Sequence, residues 1–581
     1  MLALDELTAD ILIIGAGGAG LMAALHAHEI DPRLKIVIVV KGLIGQSGCT
    51  RMVQGGYNCV LNSADSLQKH FEDTVRGGQF LNNQELAWTL VSDSPSRVIE
   101  LENTVGCLFD RNADGTIHQK PFAGQSFDRT VHKGDLTGIE IMSNLRDYML
   151  EAENVSVIEE CRGLDLLGDG GRIAGALLLD NRRGRFVQVR AKATLLATGA
   201  GATMFRISSP SLEKAGDGQA MAFRAGAEFI DMEMMQFHPT GLLVGRSIAT
   251  GGLLEEGLRG AGARLFNGVG ERFMEKYSPE KLERATRDIV SRSSYKEIMA
   301  GRGTKQGGVL IDATHLGEKF LLQNFRGMVD RCAEYGFDLL HSRVEVSPSA
   351  HYHMGGVRID ASCRCNLEAL FVAGEDSGGV HGANRLGGNG VADSIVFGAR
   401  AGDAMAEYMT RAELPTISGQ QVTELCERWS RPMERAEGED SFMLREELED
   451  LMWEKVGVVR NGPDMEAAVR GIQSLHGRAE QCGGATKAGG AVYNSKWNEA
   501  INVVNMTAIA EMIARSALTR EESRGAHYRT DFPEPDFAWL KNICVRPEGE
   551  ELKFVFRPVE FTRMKPPEPA IVRPEAVGAK S

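Results

Sequence analysis

Apolar runs that lead into glycine recur along this chain. The first covers residues 11–14, and it is followed by helical apolar spacing over 21–27 and by a second apolar run, 35–40. This order predicts a β-strand, an α-helix and a parallel β-strand. Two later apolar runs, 193–201 and 370–374, also end in glycine. Because parallel sheets bind ligands beyond the carboxyl ends of their strands, these junctions can converge. We therefore predict an α/β nucleotide-binding domain with inserted segments; three unrelated turns are the alternative.

The hydrophobic pattern changes in the later parts of the chain. Residues 237–349 are polar and glycine-rich, and we interpret them as an inserted capping or substrate domain between 1–236 and 350–415, the two parts of the nucleotide-binding domain. Over 416–530, apolar residues recur every three or four positions, which predicts an antiparallel helical bundle. The prolines of the last stretch, 531–581, predict an irregular tail.

The turn after the first strand has the glycine spacing of a dinucleotide site. Gly15 permits a tight turn, Gly17 lets a pyrophosphate approach the backbone, and Gly20 lets the helix pack closely on the strand. A glycine-rich core turn without a ligand is the alternative. The second strand ends in Lys41 rather than in the acidic residue that binds the ribose of NAD, which favours FAD.

Composition excludes several classes of protein. A net charge of −14 over 581 residues argues against nucleic acid as a partner, because phosphate binding requires a basic surface. The ten cysteines form no C-x-x-C, which excludes a self-contained iron–sulfur cluster and fits a reducing, cytoplasmic setting. No apolar run approaches the roughly 18 residues of a membrane span. Acidic residues precede the first apolar run, where a signal peptide carries positive charge.

Four polar islands hold the candidate chemistry. Three of them contain histidines close in sequence to proline or glycine, in settings typical of loops at functional clefts. The alternative is that these histidines have their hydrogen bonds satisfied within the protein core. His351 and His353 lack the further ligands of a metal site, so we predict no metal. The islands are 236–241 (QFHPTG), 284–292 (RATRDIVSR), 351–356 (HYHMGG) and 381–389 (HGANRLGGN).

Together with GAGGAG at 15–20, these islands closely resemble the flavoprotein subunit of the succinate dehydrogenase and fumarate reductase family, which also includes L-aspartate oxidase. The resemblance implies a Rossmann-type FAD-binding domain with an inserted capping domain and a C-terminal helical bundle. It also implies an oxidoreductase that interconverts a saturated and an α,β-unsaturated small carboxylic acid. Further matching segments, which extend it over nearly the whole chain, are QGG at 54–56, DTV at 73–75, KPFAGQS at 120–126, EGLRG at 256–260, GE at 374–375, SRGAH at 523–527 and DFP at 531–533.

The resemblance also assigns roles to residues. His238, His351 and Arg385 are implied to clamp a substrate carboxylate, with Phe122 beside the substrate. Arg287 is implied to transfer a proton, with Glu256 and Asp288 as its relay; a purely electrostatic Arg287, with water as the acid, is the alternative. The residues implied to bind FAD are Gly15, Gly17, Gly18, Gly20, Lys41, Cys49, Thr50, Gln54, Gly55, Gly56, Thr198, Gly199, Asp217, Glu375, Arg385 and Asn389.

Two positions depart from the family pattern. Cys49 stands where the respiratory enzymes carry a histidine linked to FAD, so we predict non-covalent FAD rather than a cysteinyl link; this favours fumarate reduction or oxidase behaviour. Glu255 stands where the family has a threonine that contacts the far carboxylate. Either Thr250 supplies that hydroxyl, or the substrate bears an amine, amide or hydroxyl at its far end. L-aspartate itself is disfavoured, because Gln125 replaces the acid of the aspartate oxidases.

The resemblance implies partners as well. Since the chain lacks cluster cysteines, a separate iron–sulfur subunit is expected to carry the electrons, with direct reoxidation by oxygen as the alternative. Attachment to a membrane would then be peripheral, through partner subunits. A catalytically silent flavoprotein scaffold is a further alternative, which the intact set of clamp and proton-transfer residues disfavours.

Overall fold

A computed structural model describes residues 2–435, 437–485, 490–549 and 551–567. The first elements are β1 Leu4–Ile14, α1 Gly18–Ile30, β2 Ile36–Val39, β3 Tyr57–Asn58, α2 Leu67–Gly77, α3 Gln84–Asn103, β4 Gln119–Lys120, β5 Thr130–Val131, α4 Thr137–Glu151, β6 Val155–Ile158, β7 Cys161–Asp169, β8 Arg172–Asp180, β9 Arg185–Leu196, α5 Asp217–Arg224 and β10 Phe229–Ile230. Those in the middle are β11 Met235–Leu242, α6 Glu256–Gly260, β12 Arg264–Phe266, α7 Met274–Tyr277, α8 Arg287–Glu297, β13 Val309–Asp312, α9 Glu318–Asn324, α10 Arg326–Glu334 and β14 Val344–His353. The last are β15 Gly356–Arg358, β16 Leu370–Val372, β17 Ser377–Gly378, α11 Asn389–Met409, α12 Gly419–Glu434, α13 Ser441–Lys455, α14 Gly462–Ala479, α15 Ser495–Thr519, β18 Lys541–Glu548 and β19 Glu551–Pro558.

The central sheet has the order β6-β2-β1-β9-β8-β7, and β16 pairs with the C-terminal part of β9. Strands β6, β2, β1, β9 and β16 are parallel, whereas β7 and β8 extend the sheet as antiparallel strands. The junctions after β1, β9 and β16 therefore meet at one edge, as expected, and the α/β fold class is confirmed. β1 is longer than its apolar core because residues 4–9 pair with β9 alone.

The turn between β1 and α1 requires glycine at two positions. Gly15 has a φ of +114°, and a Cβ there would lie 2.1 Å from the carbonyl oxygen of Ala197. A Cβ on Gly20 would lie 1.9 Å from the carbonyl oxygen of Gly15. Both positions therefore exclude side chains, which lets α1 start directly against the carboxyl edge of the sheet.

Most buried apolar residues of 237–349 form a hydrophobic core separate from the main one, whereas Phe237, Leu243 and Tyr295 belong to the main core. Their sheet has the order β11-β14-β13-β12, and α6 to α10 belong to the same region. β11 and β14 run across the expected boundaries at 236/237 and 349/350, so this region, called the capping region below, is joined to the flavin-binding part by continuous strands.

The end of the chain combines helices with a hairpin. α13, α14 and α15 pack on one another, and α12 lies against β7 and α15. The expected irregular tail is wrong for 541–558, where β18 and β19 form a hairpin and β18 pairs with β10. Pro547 is compatible with β18, because it lies beyond the residues that pair with β10 and so breaks no backbone hydrogen bond to that strand. Residues 568–581 of that tail lie outside the described residues.

Within the described part of the chain, every helix is too short or too polar to cross a bilayer.

Candidate active site

One cavity of about 540 Å³ begins at the turn between β1 and α1 and reaches the capping region. Its cofactor end is lined by residues 14–19, 39–42 and 197–199. Its substrate end is lined by Phe122, His238, Glu255, Glu256, Arg287, His351 and Arg385. The glycine motif and the polar islands therefore border the same space.

Helix α1 begins at the cofactor end without a side-chain cap from its own N-cap residue. Its N-cap residue, Gly17, has no side chain to offer, and the N–H of Gly18 donates to Thr50 Oγ1 over 3.1 Å. The atom nearest to a Cβ on Gly17 would be Thr50 Oγ1 at 3.5 Å, so the backbone faces open space. Uncapped N–H groups at the positive end of a helix dipole bind anions, and this cradle fits the pyrophosphate of FAD.

An ion-pair cluster borders the cofactor end. Lys41 Nζ lies 2.9 Å from Asp217 Oδ2, and Arg162 lies 2.7 Å from Asp217 Oδ1. Burial lowers the pKa of Lys41 to about 8, with the charge of Arg162 adding to the effect. Burial alone would raise the pKa of Asp217, but Arg162 and Lys41 together hold it well below its usual range. Asp217 therefore stays ionised and keeps Lys41 at the cavity wall.

The other residues expected to bind FAD divide into two groups. Gly20 and Asn389 do not line the cavity: Gly20 lies where α1 packs on β1, and Asn389 bonds to Asn58, His70 and Thr74. The residues that do line it are Gly15, Gly17, Gly18, Lys41, Cys49, Thr50, Gln54, Gly55, Gly56, Thr198, Gly199, Asp217, Glu375 and Arg385.

Two neutral imidazoles face each other at the substrate end. The rings of His238 and His351 are 5.5 Å apart. Burial first, and nearby guanidinium groups second, hold the pKa of both well below the usual value. The N–H of Thr240 donates to His238 Nδ1 over 3.4 Å, which places the ring proton of His238 on Nε2. His351 Nδ1 lies 2.9 Å from Ser209 Oγ. Both rings are therefore neutral, and His238 can offer its Nε2–H without adding charge.

Arg385 lies buried between an aromatic ring and a glycine. Its guanidinium carbon is 4.2 Å from the centre of the Tyr352 ring, and a Cβ on Gly390 would lie 2.7 Å from an Arg385 nitrogen. Its Nε has no hydrogen-bond partner among the described residues. The Tyr352 hydroxyl lies 3.3 Å from His381 Nε2, which is 2.7 Å from Asp393. Arg385 is thus held in position while its donors face the cavity, as a carboxylate clamp requires.

Within the capping region, a chain of charges runs from Arg287 at the cavity to Arg259. Arg287 donates to Glu256 Oε2 over 2.9 and 2.5 Å, and Arg259 donates to Glu256 Oε1 over 3.4 Å. Burial raises the pKa of Glu256, but Arg287 and Arg259 outweigh it and bring the pKa below its ordinary value. Glu256 is therefore an ionised bridge between two guanidinium groups.

This arrangement differs from the expected relay. Asp288 accepts a hydrogen bond from Asn384 over 3.1 Å and does not line the cavity, so it is not the partner of Arg287 that we predicted. Arg259, which the sequence reasoning missed, lies fully buried against Glu256 instead. The spacing in EGLRG could have revealed it, because residues three apart on a helix share a face.

Glu255, at the position where the family has a threonine, pairs with a lysine. Glu255 Oε1 accepts from Lys120 Nζ over 2.6 Å, a pairing that the sequence did not indicate. The Thr250 hydroxyl donates to the carbonyl of Gly245 over 2.7 Å and accepts from the N–H of Val244. Thr250 is absent from the cavity lining, so the expectation that it replaces the family's hydroxyl is wrong.

The fold, the uncapped glycine cradle and the buried arginines define an FAD-binding oxidoreductase. The FAD binding domain family matches residues 10–391, and the fumarate reductase flavoprotein C-terminal family matches residues 445–571. The chain belongs to the family of fumarate reductase flavoprotein subunits, which confirms the resemblance seen in its sequence and FAD as its cofactor.

Individual relatives extend over nearly the full chain. A fumarate reductase (CoM/CoB) subunit of Methanothermobacter marburgensis is 42% identical over 544 residues, which cover 93% of this chain and 97% of that protein. The 8-methylmenaquinol:fumarate reductase flavoprotein subunit of Wolinella succinogenes is 35% identical over 577 residues, covering 96% and 91%. The E. coli quinol fumarate reductase FrdA superposes with a TM-score of 0.92 at 31% identity, covering 97% of this chain and 99% of that one.

Proposed function

We propose that this protein is the FAD-bearing subunit of a reductase or dehydrogenase of the fumarate/succinate type. It interconverts a saturated and an α,β-unsaturated small carboxylic acid. The observation that supports this best is the Arg287–Glu256–Arg259 chain, which reaches the cavity beside His238, His351 and Arg385. A group able to deliver a proton and a set of carboxylate donors thus share one site.

Arg385 and the two imidazoles bind and polarise the substrate carboxylate. Arg385 offers a planar pair of donors that matches a carboxylate, while His238 and His351 add N–H groups without further charge. Charge builds up on the carbon next to this carboxylate in the transition state. Because these donors are already in position, they stabilise the transition state, in which this charge develops, more strongly than the ground state.

Arg287 transfers the proton to the substrate. A free guanidinium hardly gives up a proton, but Arg287 holds two short contacts to ionised Glu256. As the Arg287 proton moves to the substrate carbon, ionised Glu256 takes a proton from Arg259 and passes one to Arg287 in the same step, so Glu256 stays ionised and Arg259 is left to regain a proton. When bound, FAD supplies hydride exchange with the substrate, and we propose that it is held without a covalent bond. The residues that the family implies bind FAD or substrate, and that line the cavity, keep those roles as part of this proposal.

Electron transfer to or from the bound flavin requires a redox partner. The described residues contain no group of three or more histidine, cysteine or carboxylate side chains that could hold a metal. The relatives are named as subunits, and we propose that the electron partner is a separate iron–sulfur subunit. Any attachment to a membrane would then be peripheral, through such partners.

The decisive experiment is single-turnover reoxidation under anoxic conditions. The purified holoenzyme is reduced chemically, and its flavin absorbance is followed after addition of fumarate or of a related unsaturated acid. We expect absorbance at oxidised-flavin wavelengths to return, while the saturated analogue leaves the enzyme reduced. Reoxidation by oxygen alone, with no response to any unsaturated acid, would contradict the proposal.

A further inference from the structure

One cation in the wall of the cavity takes no part in the site described so far. Arg331 lies on α10, is half-buried and lines the cavity together with Gln54 and Leu253. Its Nη1–H donates to the carbonyl oxygen of Leu253 over 3.0 Å. Within the described part of the chain Arg331 forms no ion pair, whereas Arg287 is bound to Glu256. Arg331 therefore brings to the cavity a positive charge without a paired carboxylate.

The position of Arg331 follows from the face of α10 that packs on the segment before α6. Met328, one turn earlier on α10, accepts through its sulfur from the N–H of Glu255 over 3.3 Å. Residues three apart on a helix share a face, so Met328 and Arg331 contact the same segment, 253–255. Glu255 occupies the position at which the family has a threonine that contacts the far carboxylate. Arg331 therefore lies beside the place where the resemblance implies that this carboxylate binds.

Glu255 itself cannot take over the role of that threonine. Its Oε1 accepts from Lys120 Nζ over 2.6 Å, and the two charges balance each other. An ionised carboxylate has no N–H or O–H to donate to a second carboxylate, and the same holds for Asp135, which also lines the cavity. The Thr250 hydroxyl is bound within its own loop. The donor to a far carboxylate therefore comes from another element, and α10 supplies one.

The guanidinium of Arg331 has a pair of donors left for a ligand. The amide of Gln54, with its oxygen turned towards Arg331, accepts from Nη1 and, over 3.1 Å, from Nη2. Together with the bond to Leu253, these contacts use three of the roughly five N–H groups of an arginine. The remaining N–H groups, on Nε and Nη2, lie along one edge of the guanidinium, and such an edge matches the two oxygens of a carboxylate. Neutral acceptors thus hold Arg331 in place and leave its charge for a ligand.

We propose that Arg331 is a substrate-binding residue that receives the far carboxylate of a dicarboxylate substrate. This inference rests on the proposed function and narrows its substrate class from a small carboxylic acid to a dicarboxylic one. Arg385 and the imidazoles bind the carboxylate next to the reacting carbon, and Arg331 takes the place of the family's threonine at the other end. A charge-assisted pair of hydrogen bonds at that end favours a second carboxylate over a neutral amide or hydroxyl.

The test compares fumarate with fumaric acid monoamide, which has nearly the same shape and one negative charge fewer. Both acids are already unsaturated and leave oxidised flavin oxidised, so titration of the oxidised holoenzyme by flavin absorbance gives their dissociation constants without turnover. The wild type is expected to bind fumarate about tenfold more tightly than the monoamide, as expected for hydrogen bonds to a charged group. Arg331→Met is expected to remove most of this difference by weakening fumarate binding alone. A wild type that binds the monoamide as tightly as fumarate would overturn the inference.

Arg326→Met is the matched control, because Arg326 lies on the same helix, is exposed and does not line the cavity. It should keep the wild-type ratio of dissociation constants, whereas an unchanged ratio in Arg331→Met would overturn the inference. If Arg331→Met does not hold FAD, Arg331→Lys decides in its place. The preference for fumarate should then fall several-fold, since a point charge replaces the paired donors, and an unchanged ratio would again overturn the inference. Reoxidation of the reduced holoenzyme tests the proposed function separately: if the ratio depends on Arg331 but no acid is turned over, the proposed function alone fails.

Discussion

At the cofactor end of the cavity the protein offers mainly backbone, whereas at the substrate end it offers charged side chains from separate segments. The cofactor end depends on glycines at 15–20, and its ionised groups, such as Lys41 and Asp217, already satisfy one another. The substrate end leaves Arg385 Nε and Glu255 Oε2 without partners among the described residues. FAD binding at the cofactor end should therefore be most sensitive to substitutions that add side-chain atoms. Catalysis at the substrate end should be most sensitive to substitutions that remove donors or charges.

Arg287→Ala should give the largest effect. It removes the group that delivers the proton, so kcat should fall by about 10³-fold, within the range for loss of a general acid. The flavin absorbance spectrum should remain, because Arg287 belongs to the substrate end. Steady-state kinetics with an unsaturated acid, with the spectrum as control, provides the measurement. Retained turnover would remove Arg287 from the mechanism and leave water as the acid.

Arg385→Lys keeps the charge and removes the planar pair of donors. We expect a loss of about ten- to a hundredfold in kcat/KM, because charge-assisted paired hydrogen bonds are replaced by a point charge. A rise in KM together with a fall in kcat would indicate that the carboxylate is both bound and polarised here. Gly390→Ala is a second way to disturb the same guanidinium, through the contact of 2.7 Å. If neither variant changes the kinetics, Arg385 is not the clamp.

Gly20→Ala addresses the cofactor end. Its Cβ would lie 1.9 Å from the carbonyl of Gly15, so α1 must move away from β1 and carry its first N–H groups with it. FAD affinity should fall by at least about tenfold, because a Cβ this close to a backbone carbonyl forces the backbone to shift. Fluorescence titration of the apoprotein measures it. Gly477→Ala in α14 is the matched control, because a Cβ there meets nothing within 4 Å. Equal affinity in both variants would contradict a site at the start of α1.

The difference between the two ends also explains what the sequence could predict. A turn that requires glycine is visible in the sequence as a glycine at a fixed position after an apolar run. For this reason the convergence of the junctions after β1, β9 and β16 was predicted correctly. The neighbours of side chains depend on tertiary packing. Lys120 lies 135 residues from Glu255 in sequence, and no periodicity connects them. Asp288 was assigned from its place in a motif, and Thr250 was offered as a hydroxyl from the loop before Glu255. Local hydrogen bonds hold Asp288 to Asn384 and Thr250 to Gly245 instead.

Cys49→Ser should have the smallest effect, and it tests whether FAD is held by the cradle alone. Cys49 lines the cavity, and burial raises the pKa of its thiol. The thiolate is the reactive form of cysteine, so a thiol kept protonated at neutral pH is a poor nucleophile towards the flavin. Acid precipitation should release yellow FAD into the supernatant from wild type and Cys49→Ser alike, with equal FAD content per chain. A yellow pellet from the wild type that becomes colourless in the variant would establish a cysteinyl bond, and the cofactor end would then depend on a side chain after all.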